Sequence, residues 1–383
     1  MTERLTVRVI DRVTRVQAAE WDALVPAADP FLRSAFLASV ERSGAVGTAA
    51  GWAPGHVVVE RAGKVVAALP TFLRTDSWGE YIFDHGWANA AHRAGIRYYP
   101  KLTSAVPFTP AAAGRVLGDP DHLPALVAGV EQVRLQAGAS SHHVLFCSQA
   151  EATALAALGY TTRLGFQFHW EDEGFGDFDG FVGRLTSRRR KELLRERRQV
   201  REAGVEVRVH RGEDLSTGDW AAMHRFYRST QHQHGQEGYL PERWWTEELP
   251  ALPDTLVVLA RRGGVPIAGA LNFTRGTSLY GRYWGADEEV RGLHFEVCYH
   301  ALVEWALQNG VKRVEAGAQG EHKLQRGFLP RLTYSAHRIA DPRLHGAVTE
   351  FCGREAEAVR ATVAEYMEHG PFSGGSAMRG EGA

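Results

Sequence analysis

The chain has 383 residues, 44% of them hydrophobic and 23% charged, which fits a globular protein of two or three domains and excludes a fibrous or disordered one. Its 44 Lys and Arg are balanced by 45 Asp and Glu, leaving a net charge of −1. No whole-chain attraction to nucleic acid or anionic lipid follows from that balance, so any such affinity has to come from a local patch.

In chain order, alternation over 6–9 predicts a strand, and the apolar spacing over 16–24 and 36–43 predicts two helices. Two strands at 56–60 and 65–73 flank the turn Arg61-Ala62-Gly63-Lys64, a β-hairpin by alternation and by its glycine. An aromatic strand is expected over 81–87, a helix over 123–136 ended by Gly138, a buried strand over 142–146 and another over 161–170. The segment 184–202 then carries nine basic residues against three acidic ones, on a helix whose Leu185, Leu193 and Val200 form a narrow apolar stripe. A second hairpin is predicted from strands at 256–260 and 265–273, followed by an aromatic strand over 279–284. A helix over 295–308 stopped by Gly310, a strand over 313–315, a helix over 343–369 and a Gly/Ser tail complete the chain.

The second half repeats the order of the first. Gly263-Gly264-Val265-Pro266-Ile267-Ala268-Gly269-Ala270-Leu271 echoes Ala62-Gly63-Lys64-Val65-Val66-Ala67-Ala68-Leu69-Pro70, and Gly327-Phe328-Leu329-Pro330-Arg331-Leu332 echoes Gly159-Tyr160-Thr161-Thr162-Arg163-Leu164. Two α/β domains with mixed central sheets are therefore expected, at 1–175 and 176–370, with a disordered tail at 371–383.

Hairpin, third strand, helix, strand and closing strand is the order of the GNAT acyltransferase fold. Two such units in tandem, with Tyr98-Tyr99-Pro100-Lys101, Gln167-Phe168-His169-Trp170, Tyr280-Gly281-Arg282-Tyr283-Trp284-Gly285, Gly292-Leu293-His294-Phe295-Glu296 and the loop Glu321-His322-Lys323, resemble the FemAB-like family of peptidoglycan biosynthesis or recognition. The resemblance implies transfer of an acyl or aminoacyl group onto an amine acceptor, a small molecule or precursor, with aminoacyl-tRNA as the donor in the better-known members. Acyl-CoA as donor, or a non-catalytic module that binds RNA or a cell-wall precursor, are the alternatives. Acyl-CoA enzymes of the GNAT type cradle pyrophosphate on a Gly-rich turn before the helix. Here that turn reads Asp287-Glu288-Glu289-Val290-Arg291-Gly292, with one glycine and three acids, which favours a different donor.

Amine acylation needs a base for the ammonium, a cation or donor for the developing oxyanion and an acid for the leaving atom. Glu321 and His322 are the candidate bases and Lys323 the candidate cation, on flexible backbone just past a strand end; Glu296 is a further catalytic candidate. Arg282, Tyr283, Trp284 and Gln319, with Asp84, Lys101 and His169 among the aromatic stretches of the first half, are the candidate substrate-binding residues. Arg188, Arg189, Arg190 and Arg197 are the candidate phosphate or nucleic-acid contacts. Cys147, Cys298 and Cys352 stand far apart with no zinc spacing, and His232 and His234 have no third ligand nearby; neither a metal nor a cofactor is expected. No apolar run is long enough for a transmembrane segment and the start lacks a signal-peptide core, so a cytoplasmic location is expected.

Overall fold

The computed structural model describes residues 4–233, 235, 237–317 and 320–373, so Gln319 and His234 lie outside the described residues. It is an α/β protein with mixed sheets, and it divides into two compact units. Unit 1 comprises Met1–Gly165, Tyr239–Trp244 and Thr333–Val359; unit 2 comprises Phe166–Gly238, Trp245–Leu332 and Arg360–Ala383.

The first nine strands are β1 (Leu5–Ile10), β2 (Trp52–Pro54), β3 (His56–Arg61), β4 (Lys64–Leu69), β5 (Phe72–Arg74), β6 (Lys101–Ser104), β7 (Leu117–Gly118), β8 (Ser141–Cys147) and β9 (Thr161–Glu171). The remaining six are β10 (Val205–Arg211), β11 (Thr255–Arg262), β12 (Val265–Arg275), β13 (Ser278–Ala286), β14 (Arg313–Glu315) and β15 (Leu329–Ile339). Within unit 1 the strands run β1-β3-β4-β7 in one sheet and β2-β5-β6-β8-β15 in the other; within unit 2 they run β10-β11-β12-β13-β14-β9.

Both hairpins expected from the sequence form, β3 with β4 and β11 with β12, each antiparallel. After each comes a strand that receives a parallel partner across a helix: β8 beside β6 after the helix Leu123–Gln136, and β14 beside β13 after the helix Ala301–Gln308. In each unit a further strand then closes on that partner antiparallel. The closing strands are exchanged, however. β9, from the first half, pairs with β14 in unit 2, and β15, from the second half, pairs with β8 in unit 1. The boundary drawn at 175/176 is therefore not the boundary of the units, because residues 166–175 fold with unit 2 and 333–359 with unit 1.

Two local expectations are corrected. Residues 81–87 form no strand: Asp84 precedes the helix His85–Arg93, and the third-strand role falls to β6. The predicted strand over 65–73 is split into β4 and β5 around Pro70 and Thr71, since proline has no N–H for a ladder. Residues 371–373, expected in the disordered tail, are ordered. Phe372 is buried against Phe175 and Phe181, the Thr186 N–H donates to the Pro371 carbonyl, and the Ser373 N–H to the Arg184 carbonyl; residues 374–383 lie outside the described residues.

The core of unit 2 is one cluster that includes Trp170, Leu256, Val258, Ala270, Leu279, Val297, Leu302 and Val314, so β13, β14 and the helix between them pack as one block. That block fixes the end of β14 and the loop after it.

Candidate functional site

β13 is nine residues long, yet only Ser278, Leu279 and Tyr280 pair with β14, opposite Arg313, Val314 and Glu315. β14 stops there while β13 continues for six residues, so the two parallel strands part. On the other edge of β13 the register slips at the same level: Leu271 faces Tyr283 and Asn272 faces Gly281, leaving Arg282 as the extra residue of a bulge. A bulge turns peptide groups out of the ladder and re-aims side chains. Gly281 stands at the parting point, where a Cβ would sit 3.4 Å from the Glu315 carbonyl oxygen, in ordinary contact with it.

The loop after β14 leads into the short helix Glu321–Arg326, which brings Lys323 back to the strand end. Its Nζ donates to the Gly317 carbonyl at 2.9 Å. Lys323 is only 3% exposed, and burial pulls its pKa down to about 8. An ammonium has three donors, and among the described residues only the Gly317 carbonyl accepts from this one. Next to it, half-buried His322 shares a hydrogen bond with the Tyr299 hydroxyl, Nε2 to oxygen 2.9 Å. Burial, with Arg326 and Lys323 adding to it, holds the His322 pKa below the usual imidazole value. Burial raises the Tyr299 pKa, so the phenol keeps its proton. His294 packs against His322 with ring centroids 5.8 Å apart, and burial depresses its pKa to about 4. Two neutral imidazoles and one partly desolvated ammonium thus share a small volume of unit 2.

A buried ion cluster holds the loop in place. Glu196 is 6% exposed and accepts from the Arg326 Nε at 3.3 Å and from its Nη2, while its second partner is the His300 Nε2 at 2.8 Å. Arg326 also donates to the His322 carbonyl at 2.8 Å, and its guanidinium lies 3.3 Å over the Phe295 ring. A buried carboxylate is tolerated only with such partners.

The family model for FemAB-like proteins, described as peptidoglycan biosynthesis/recognition, matches residues 12–374. The chain belongs to the FemAB-like family. Among solved structures this FemAB-like chain is similar to FemX, with a TM-score of 0.54 and 12% identity over 87% of this chain and 98% of that one. It is also similar to the L-PGS of Bacillus licheniformis, with a TM-score of 0.51 and 11% identity over 82% and 95%. A conserved protein of unknown function from Bacteroides thetaiotaomicron gives a TM-score of 0.51 and 12% identity over 87% and 99%. At these identities the likeness is one of fold. No curated protein matches the chain in sequence.

The FemAB-like chain distributes the other sequence candidates unevenly. Glu321 points away from Lys323: it is exposed and accepts from the Tyr366 hydroxyl at 2.5 Å, on the C-terminal helix Pro342–Glu368. Glu296 is engaged by the basic helix: both its oxygens accept from the Arg197 Nε at 3.1 Å. Arg197 also reaches Glu304 at 2.6 Å and stacks on Phe178. Arg189 donates to Glu192 at 3.1 Å, Arg190 is half-buried, and Arg188 is exposed. Trp284 packs on His294 at 5.2 Å, whereas Tyr283 packs on Tyr227 at 5.0 Å and Arg282 lies over the Tyr283 ring.

His169 lies opposite Glu315 in the β9–β14 pairing, buried, with its pKa depressed to about 3 by burial. It is therefore beside the end of β14 but closed off. In unit 1, Lys101 and Asp84 are buried against each other. Lys101 is fully buried and donates to Ser77 at 2.7 Å, Glu80 at 2.7 Å and Asp84 at 2.5 Å, and Asp84 also accepts from Tyr98 at 2.7 Å. Three acceptors exhaust its three donors. Lys101 and one oxygen of Asp84 are thus tied to neighbours in unit 1.

The sequence assigned no role to Glu196, Tyr299 or Arg326, and His294 entered only within the segment 292–296. Glu196 left one signal: Leu193, Glu196 and Val200 share a row at helical spacing and are the buried residues of their helix. An acid on an apolar stripe implies a buried cationic partner. Arg326, four residues past His322, carried no comparable mark.

Proposed function

We propose that unit 2 transfers an activated acyl or aminoacyl group to the amine of a cell-wall precursor, with aminoacyl-tRNA as the donor. The observation that carries this reading is the Lys323 ammonium at the place where β13 and β14 part, bonded among the described residues only to the Gly317 carbonyl, with neutral His322 beside it. His322, with Nε2–H given to the Tyr299 oxygen, takes the acceptor amine's proton on Nδ1 as the C–N bond forms. Lys323 meets the negative charge that develops on the donor carbonyl oxygen. The proton held on His322 goes to the leaving oxygen as the C–O bond breaks. No covalent enzyme intermediate is needed.

The preference for a donor without a cradled pyrophosphate rests on the turn before the helix. Asp287 is tied to Arg225 at 2.8 Å and Glu288 to Arg262. Gly292 lies under the backbone of the basic helix, where a Cβ would come 3.0 Å from the Glu196 carbonyl oxygen. Carboxylates and packed backbone occupy the place where open N–H groups would receive phosphate.

Thermal stabilisation by donors tests this reading. A ligand at about 100 times its Kd adds about 2.7 kcal/mol, and the expected result is a shift with aminoacyl-tRNA and none with acyl-CoAs. A shift with acyl-CoA alone assigns that donor instead. A shift without any amide product makes the chain a binding module.

A further inference from the structure

We infer that the outward face of the helix Ser187–Glu202 is a docking surface for an anionic membrane. The helix is two-sided. Leu193, Glu196 and Val200 are buried, and Arg189 and Arg197 are engaged by Glu192, Glu296 and Glu304. On the opposite side Arg188, Lys191, Arg195 and Arg198 are exposed in one row at spacings of three or four residues, about 15 Å long at the helical rise. Among the described residues no carboxylate pairs with Arg188, Lys191 or Arg195, and Arg198 reaches only the exposed Glu202 at 3.7 Å, a contact that salt screens. Of the phosphate contacts expected from the sequence, Arg188 belongs to this row, half-buried Arg190 and the engaged Arg189 and Arg197 do not, and Lys191, Arg195 and Arg198 join it.

Two features choose a lipid surface over a nucleic acid. Leu194, flanked by Lys191, Arg195 and Arg198, is 48% exposed. An apolar side chain inside a cationic row is costly against water and useful at a headgroup boundary, where it enters the acyl region while the arginines hold phosphates. The segment 184–202 also contains no aromatic residue, so it offers no platform on which unpaired bases could stack; duplex RNA, held through its phosphates, is distinguished by the test. Arg188, Lys191, Arg195 and Arg198 put four exposed positive charges on one face of a chain whose net charge is −1, so this face attracts an anionic surface although the chain as a whole does not.

The test is co-sedimentation of the full chain with vesicles of phosphatidylglycerol and phosphatidylcholine, and with vesicles of phosphatidylcholine alone. Binding is expected to the mixed vesicles only, to fall with salt, and to weaken about 100-fold when Arg188, Lys191 and Arg195 are replaced together by Gln. Leu194→Ser is expected to weaken it severalfold further while leaving the melting temperature unchanged. The single variant Lys191→Glu serves as a milder check on the same face. Equal binding to neutral vesicles, no binding to either, or binding indifferent to the three Gln substitutions overturns the proposal. So does a chain that ignores vesicles but binds duplex RNA through these three residues and not through Leu194.

Discussion

Lys323 and His322 lie one residue apart, and burial moves both pKa values downward, Lys323 to about 8 and His322 below its usual value. The consequences for transfer are opposite in sign. A neutral His322 is the active form, so the rate rises as pH climbs through its depressed pKa. A charged Lys323 is the active form, so the rate falls as pH passes about 8. The expected profile is bell-shaped, and Lys323→Arg removes its alkaline limb while lowering the maximum. Lys323→Met costs about 100- to 1,000-fold in rate and His322→Asn about 100- to 10,000-fold, whereas Glu321→Gln stays within about threefold because that carboxylate faces Tyr366. Steady-state rates across pH on these variants check each figure. The sequence made the Glu-His-Lys loop legible because it follows a strand and brings three titratable groups together. Which of them faces inward was not legible, since that depends on one turn of helix and on Arg326, which holds the His322 carbonyl.

At the scale of elements, two buried ion clusters do unlike jobs. The Lys101 cluster ties β6 to the loop that carries Ser77, Glu80 and Asp84. Removing the cation leaves two buried carboxylates without it, so Lys101→Met destabilises unit 1 by about 3 to 5 kcal/mol, read by denaturant unfolding, and lowers transfer only as far as folding is lost. The Glu196 cluster ties the basic helix to the loop of unit 2. Glu196→Gln keeps the shape and weakens the grip on Arg326, so hydrogen exchange over 321–326 speeds up and the rate drops more than the melting temperature predicts. Hairpins, helices and the β13 strand were readable from period and turn chemistry. The misread segment was 81–87, whose aromatic alternation looks like a strand. There Asp84 is buried on Lys101 and Tyr98, and the helix that begins at His85 follows it; tertiary pairing overrides the local pattern.

For the whole molecule, the repeat was visible in the sequence but the interleaving was not. Similarity between 159–164 and 327–332 identifies two closing strands without saying which half each one closes, and β9 and β15 each end in the unit that the other half began. Buried histidines add a property of the chain as a whole. His142 and His169 have folded pKa values of about 3, with burial as the first cause, against about 6.5 unfolded. The unfolded chain therefore binds more protons as pH falls below 6.5, and stability, fully present above that value, declines toward pH 3. Each of the two contributes a loss of about 2 kcal/mol between pH 7 and pH 5, measurable as a falling denaturant midpoint, and their replacement by Gln flattens the dependence.

The central claim, that Lys323 and His322 of unit 2 carry amide formation, is tested most directly by mass spectrometry of a peptidoglycan precursor bearing a free side-chain amine. The precursor is incubated with aminoacyl-tRNA and either the parent chain, Lys323→Met or His322→Asn, each confirmed as folded. The account predicts an acceptor heavier by one aminoacyl residue with the parent and at least about a 100-fold slower appearance of it with either variant. Product formed by both variants at rates within about threefold of the parent contradicts it.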